Sequence, residues 1–147
     1  MQKITPFLWF DGTAEQAAEF YLTIFDGTIL DVSRMPDGSA FVVHWEMEGT
    51  EYFGMNAGPG HPLTDAFSLS VDAGEQDGVD RLWDALLAGG GEESQCGWLV
   101  DRFGLSWQVV PTRLGELMTG PNGQAATAAL MGMRKIIIAD LEAAAAG

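Results

Sequence analysis

The chain has 147 residues, enough for one domain or two small modules sharing a core, with 21 acidic against 7 basic side chains and a formal charge of −14. A negative field of that size repels phosphate backbones and anionic lipid, which excludes nucleic-acid binding and leaves a solubilising surface as its plainest use. One cysteine excludes an intramolecular disulfide and a CxxC site, and no apolar run approaches the ~20 residues of a membrane span.

"MQKITPFLWF" lacks the cleavage site of a signal peptide, so a soluble, cytoplasmic protein with no membrane partner is expected. Within it "KITPFLWF" is a run of strand formers, and "DGT" turns the chain into a helix. Thr13 and Gln16 have capping-box spacing. Ala14, Ala17, Ala18, Tyr21, Ile24 and Phe25 share one helical face, and Gly27 is expected as a left-handed C-cap. "TILDVSRM" and "AFVVHWEM" are strands, and Glu48-Gly49 is a two-residue hairpin turn into "TEYFGMN".

After the loop "GPGHPLTD" the pattern restarts. "AFSLSVDA" is a strand, and Val79, Leu82, Trp83, Leu86 and Leu87 form a helical stripe that ends at "GGG". "CGWLVD" and "GLSWQVVP" are strands joined at "RFG". The two halves repeat one plan at an offset of roughly 60 residues, the mark of paired βαβββ modules. From Leu114 the chain is helical, broken by Pro121, Gly123 and Gly132, and its alanine-rich end needs something to pack on, a partner subunit being one candidate.

"ITPFLWFDGTAEQAAEFY", "MNAGPG", "AFSLSVD" and "GGGEESQCGWLVDRFGLSWQVVP" together resemble the PhnB-like branch of the glyoxalase/bleomycin-resistance (vicinal oxygen chelate) superfamily, whose members carry the label 3-demethylubiquinone methyltransferase. The resemblance implies an α+β fold of paired βαβββ modules whose sheets curl around a cavity, assembled as a homodimer. The glyoxalase-like part is expected at residues 1–113, with modules at about 1–60 and 64–113, and a helical extension at 114–147. The superfamily's enzymes hold a divalent metal with a His or Glu from the first strand of each module and a Glu from the last, a Lewis acid for enediolate or alkoxide charge.

By the resemblance, Pro6 or a neighbour and Ala66 occupy the first-strand ligand positions. The metal-enzyme frame D-x-x-G-x-x-x-E becomes Asp101, Gly104 and Gln108, and Asn56 is the nearest polar residue on the last strand of the first module. Two amides hold neither hard nor borderline divalent ions well, so no metal and no cofactor is expected. Strand alternation puts His44 with Glu46, Glu51 and Phe53, opposite Phe41, Trp45, Gly54 and Asn56, so His44 is read as a structural or surface residue and His61 as a loop residue.

The expected cavity therefore has amide and hydroxyl groups on apolar walls: Asn56, Trp45 and Phe41, with room left by Gly54, from the first module, and Gln108 and Ser106, alongside Val110, from the second. Asn56 and Gln108 also fit as satisfied residues bridging strands. Acidic neighbours leave the Cys96 thiol inert in a strand, whereas the resemblance makes it a ligand-contacting candidate. Trp9, Trp98 and Trp107 read as core or dimer-interface packing. The leading function is metal-independent binding of a small organic molecule. The alternatives are a lyase or isomerase with displaced metal ligands, the labelled methyltransferase, for which Gly89–Gly91 falls after a helix rather than before one, and a purely structural, dimer-forming protein.

Overall fold

The computed structural model of the chain describes residues 2–147 and divides it into two compact units, one ending at Leu63 and one running Thr64–Gly147. In the first, β1 (Phe7–Phe10), α1 (Ala14–Leu22), β2 (Gly27–Arg34), β3 (Ala40–Met47) and β4 (Thr50–Asn56) follow in the βαβββ order. The sheet runs β1-β4-β3-β2, with β1 parallel to β4 and the other pairs antiparallel. At the β3–β4 turn both Glu48 (φ 50°) and Gly49 (φ 83°) are left-handed, the geometry that lets a two-residue loop follow the twist of its strands.

Two local expectations are corrected. The capping box does not form: Thr13 makes no side-chain cap bond, and the Ala14 N–H donates instead to Asn56 Oδ1 at 2.9 Å. Gly27 is no helix cap, because α1 ends at Leu22 and Gly27 opens β2. A Cβ there would lie 2.0 Å from the Glu46 carbonyl oxygen, so the glycine serves close strand approach.

Helix α1 buries Ala14, Ala17, Ala18 and Tyr21, and the sheet buries Leu8, Phe10, Val43, Trp45 and Tyr52 with them. These strand residues share one face, as the alternation of a pleated strand requires. Gly54 belongs to it. An added Cβ would stand 3.0 Å from the Phe10 ring and 3.3 Å from Ala14 Cβ, so its missing side chain admits the helix and leaves no room for a ligand.

The second unit repeats the topology. β5 (Ser68–Gly74), α2 (Gln76–Leu87), β6 (Glu92–Glu93), β7 (Trp98–Val100) and β8 (Ser106–Pro111) form a sheet ordered β5-β8-β7-β6, again with the outer parallel pair. Val79, Leu82, Trp83 and Leu86 of α2 are buried along with Leu99, Trp107 and Val109. The protein is α+β, with two four-stranded mixed sheets, neither closed, and C-terminal helices.

Those helices, α3 (Leu114–Thr119), α4 (Gly123–Met131) and α5 (Ile138–Ala145), are part of the second unit. Leu117, Ile136 and Leu141 make a buried cluster. The Gln76 amide donates to the Ile136 carbonyl (3.0 Å) and accepts from the Ile138 N–H (2.8 Å), and Lys135 pairs with Asp80 at 2.9 Å. The packing that the alanine-rich end needs is thus supplied by its own unit. Pro121 and Gly132 lie at the breaks, but Gly123 begins α4, where a Cβ would lie 2.1 Å from the Met118 carbonyl oxygen. Among the described residues no helix is long and apolar enough to cross a membrane.

Candidate functional site

Each sheet has one face under its own helix and one turned away from it. On the first sheet the uncovered face carries Phe7 and Trp9 from β1, His44 from β3, and Glu51, Phe53 and Met55 from β4, as the register Phe7↔Phe53, Trp9↔Met55 and His44↔Phe53 requires. The His44 ring stacks on Phe53 (centroids 4.3 Å apart, planes at 21°), and its Nε2 lies 2.7 Å from Glu51 Oε1. Trp9 donates to the Gly58 carbonyl at 2.8 Å and has the His61 ring 4.3 Å away, which draws the 57–63 loop to that strand.

The expected cavity set therefore does not share one kind of face. Trp45 is fully enclosed beneath α1, and Asn56 lies on that helix side, whereas Gln108 and the buried Ser106 lie on the face of the second sheet turned away from α2, opposite Trp107 and Val109. Alternation sorts residues into two faces; the helix decides which face is closed. Asn56 bridges: its oxygen accepts from Ala14 N and its nitrogen donates to the Ala40 carbonyl at 3.0 Å. Asn56→Ala is expected to lower stability by about 1–2 kcal/mol in urea denaturation, since it frees a helix N-terminal donor and a strand carbonyl. Asn56→Asp, which keeps the acceptor, should lose less; an unchanged alanine variant would show that the bridge is idle.

Asn56 and Phe41 nevertheless meet at one place. A groove of about 470 Å³ runs between the start of α1 and the far end of the β2–β3 hairpin, and Gln16, Arg34, Met35, Ser39, Phe41 and Asn56 line it. Arg34 donates to both oxygens of Glu15 (2.8 and 3.3 Å) and to the Gly38 carbonyl (3.2 Å). The hydrogen bond and charge of Glu15 hold the guanidinium's pKa above its ordinary value, and the two opposite charges are paired. The hairpin end is set by Asp37, which accepts from both the N–H (2.9 Å) and the hydroxyl (2.6 Å) of Ser39. Among the described residues the Gln16 amide has no partner. The sequence offers Gln16 only as a capping residue, and it does not pair Glu15 with Arg34 because the two belong to different elements with no periodic relation.

In the second unit Gln108 Nε2 donates to the Ser68 hydroxyl at 3.0 Å, and the Ser106 hydroxyl is buried without a partner among the described residues. Asp101 is buried too. One of its oxygens accepts from Phe103 N and Leu105 N (2.8 and 3.1 Å) and the other from Trp107 Nε1 (2.9 Å). Cys96 is not a strand residue: it sits before β7 in a left-handed conformation (φ 59°), its N–H bound to the Met133 carbonyl, with its thiol 3.7 Å from the Met131 sulfur.

The metal positions can be placed by register. Phe53 follows the turn glycine Gly49 at the spacing with which Gln108 follows Gly104, and the neighbours of these two on the parallel strands are Phe7 and Ser70. Pro6 and Ala66 precede β1 and β5, Asn56 faces α1, and the neighbour of Pro6 that pairs with Phe53 is Phe7. Two phenyl rings, a hydroxyl and an amide do not fit a divalent ion. Among the described residues no three His, Cys, Asp or Glu side chains gather to hold one.

The duplicated β-α-β-β-β order and these two sheets are what the comparisons with known proteins match. The model of the 3-demethylubiquinone-9 3-methyltransferase family matches residues 2–110. The chain belongs to that family. A PhnB protein from Bacillus cereus, described as a 3-demethylubiquinone-9 3-methyltransferase, is 29% identical over 76% of this chain and 100% of its own, with a TM-score of 0.69. Protein PA1353 from Pseudomonas aeruginosa is 20% identical over 73% of this chain and 95% of its own, with a TM-score of 0.60. A lactoylglutathione lyase from Agrobacterium tumefaciens is 16% identical over 78% and 96%, with a TM-score of 0.45. No curated protein matches the chain. The PhnB-like family and the two β-α-β-β-β units agree with the resemblance read from the sequence.

Proposed function

We propose that this PhnB-like family member binds a small, uncharged organic molecule without a metal, as a cytoplasmic homodimer. The observation that carries the reading is the first-unit groove. Its volume of about 470 Å³ falls within the roughly 300–1,000 Å³ of small-molecule pockets. Phe41 and Met35 supply apolar wall, Gln16 and Ser39 supply hydrogen bonds, and the charges of Arg34 and Glu15 cancel, which favours a neutral ligand over an ionic one.

Support for independence from metal comes from the donor set. His44 and Glu51, on the face of the first sheet turned away from α1, are engaged with each other, and together with Glu46 opposite Glu51 they are the foothold of the displaced-ligand enzyme. The methyltransferase reading has less. The β1–α1 turn is Asp11-Gly12-Thr13, with one glycine, and Gly89–Gly91 follows α2, so neither makes the glycine-rich strand-to-helix turn of a nucleotide site.

A thermal-shift screen against uncharged aromatic and aliphatic compounds, with elemental analysis of protein purified without added metal, tests this. A compound that stabilises the protein in the presence of a chelator, and loses its effect with Phe41→Asp, is the expected result. Stoichiometric metal whose removal abolishes all binding would sink the proposal, as would a screen with no stabilising compound.

A further inference from the structure

The second unit contains a solvent-open groove of different chemistry, in which Ser70, Asp72 and Thr112 are exposed. It has a volume of about 370 Å³ and opens between the end of the β5–β8 pair and α3, lined by Ser70, Asp72, Val110, Thr112, Leu114 and Met118, with Pro111 and Gly115. Asp72 and Val110 are register partners, and Ser70 precedes Asp72 on the same face, so the polar side of the groove is built into the sheet. Leu114 and Met118 are one helical turn apart on α3 and form the opposite, apolar side.

Asp72 is its one charged lining residue. The Gly74 N–H (3.0 Å) and the Thr112 hydroxyl (2.6 Å) both donate to Oδ1, so the carboxylate is held by one oxygen, while Oδ2 takes no hydrogen bond among the described residues. Those two bonds, the Thr112 one first, hold the carboxyl below its ordinary pKa and keep it ionised at neutral pH. The Thr112 hydroxyl has spent its proton on Asp72 and retains acceptor capacity, and the Ser70 hydroxyl can accept as well. No Lys, Arg, His, Asn or Gln lines the groove. A head group here meets acceptors from several directions and no fixed cation.

We infer that this groove binds a primary ammonium carrying a short hydrocarbon body, the ammonium on Asp72, Thr112 and Ser70 and the hydrocarbon against Val110, Leu114 and Met118. An ammonium has three donors and no acceptor, which matches the polar side of the lining, and an apolar tail matches the α3 side. A carboxylate or phosphate ligand would meet Asp72 inside a chain whose net charge is −14. A hard divalent ion wants six or more oxygen ligands, more than one carboxylate and two hydroxyls provide. The site is separate from the first-unit groove and differs from it in charge preference, taking a cation where the groove takes a neutral molecule.

Isothermal titration calorimetry of the full chain with n-hexylammonium and with n-hexanol, a neutral analogue of the same length, tests this inference. The expected result is saturable binding of n-hexylammonium, with n-hexanol weaker by about tenfold, the loss typical of one charge-assisted hydrogen bond. Asp72→Asn keeps the acceptor for Gly74 and Thr112 and should weaken n-hexylammonium by a similar factor. Met118→Lys, which puts a cation on the apolar side, should abolish it, and carries the test if the asparagine variant does not fold. No saturable binding, equal affinity for n-hexanol, an unaffected Asp72→Asn protein or displacement by magnesium ions would each overturn the inference. Loss of binding on Phe41→Asp would assign the amine to the first-unit groove and overturn it as well.

Discussion

Asp101→Ala is expected to destabilise the second unit by about 3–4 kcal/mol, a large part of the roughly 5–15 kcal/mol that holds a domain folded. Asp101 is 3% exposed and is the hub of the β7–β8 turn. Its carboxylate satisfies two backbone N–H groups, of Phe103 and Leu105, and the indole N–H of Trp107. Its backbone closes the same turn, accepting from Gly104 N (3.0 Å) and donating to the Leu105 carbonyl (2.9 Å). Alanine leaves three donors without their acceptor, each worth about 1–3 kcal/mol when buried, partly offset by relaxation and water entry. Asp101→Asn keeps one acceptor but sets an amide N–H₂ against a donor, and should lose about half as much. Urea denaturation followed by tryptophan fluorescence gives the stability, and hydrogen exchange at Phe103 and Leu105 locates it. A loss below about 1 kcal/mol would show that the turn does not depend on the carboxylate. The D-x-x-G frame that looks like part of a metal site is in this chain a turn clamp.

Trp45→Ala should lose about 3–5 kcal/mol, the usual range for emptying a large aromatic from a core. The side chain is fully buried, stacks on Tyr52 with centroids 5.5 Å apart, and lies 6.4 Å from the Tyr21 ring of α1. Trp45→Phe separates packing from polarity. The indole N–H is buried without a hydrogen-bond partner among the described residues, so phenylalanine removes an unsatisfied donor while leaving a smaller void, and the two effects offset to within about 1–2 kcal/mol. Chemical denaturation of both variants reads this directly. Because the ring lies under α1, Trp45→Phe should also leave unchanged the thermal shift from any ligand of the first-unit groove; a selective loss of that shift would return Trp45 to the binding site.

Much of the site was legible in pieces. The hairpin turn at Glu48-Gly49 sets the β3–β4 register, and from that register His44, Glu51 and Phe53 fall on one face with no further information. That those residues are on the uncovered face was not legible, although Val43, Trp45 and Met47 make the other face the more apolar one. Asn56 reads from the sequence either as a cavity residue or as a satisfied bridge; it lines the groove and its amide also bridges Ala14 and Ala40, partners that lie far from it in the sequence. Cys96 belongs to a left-handed bend closed by backbone bonds to Met133 and Arg134, which a local strand pattern does not register.

By itself the sequence determined most of the longer strands and helices, the duplicated βαβββ plan and the alternation of strand faces, because turn chemistry and side-chain periodicity act within a few residues. Only the tertiary structure decided which face of each sheet its helix closes, that the Glu15–Arg34 pair spans the groove, and that Asp72 and α3 share a second groove. Those depend on contacts between segments far apart in the chain, where packing and hydrogen-bond satisfaction act, and local periodicity does not specify them.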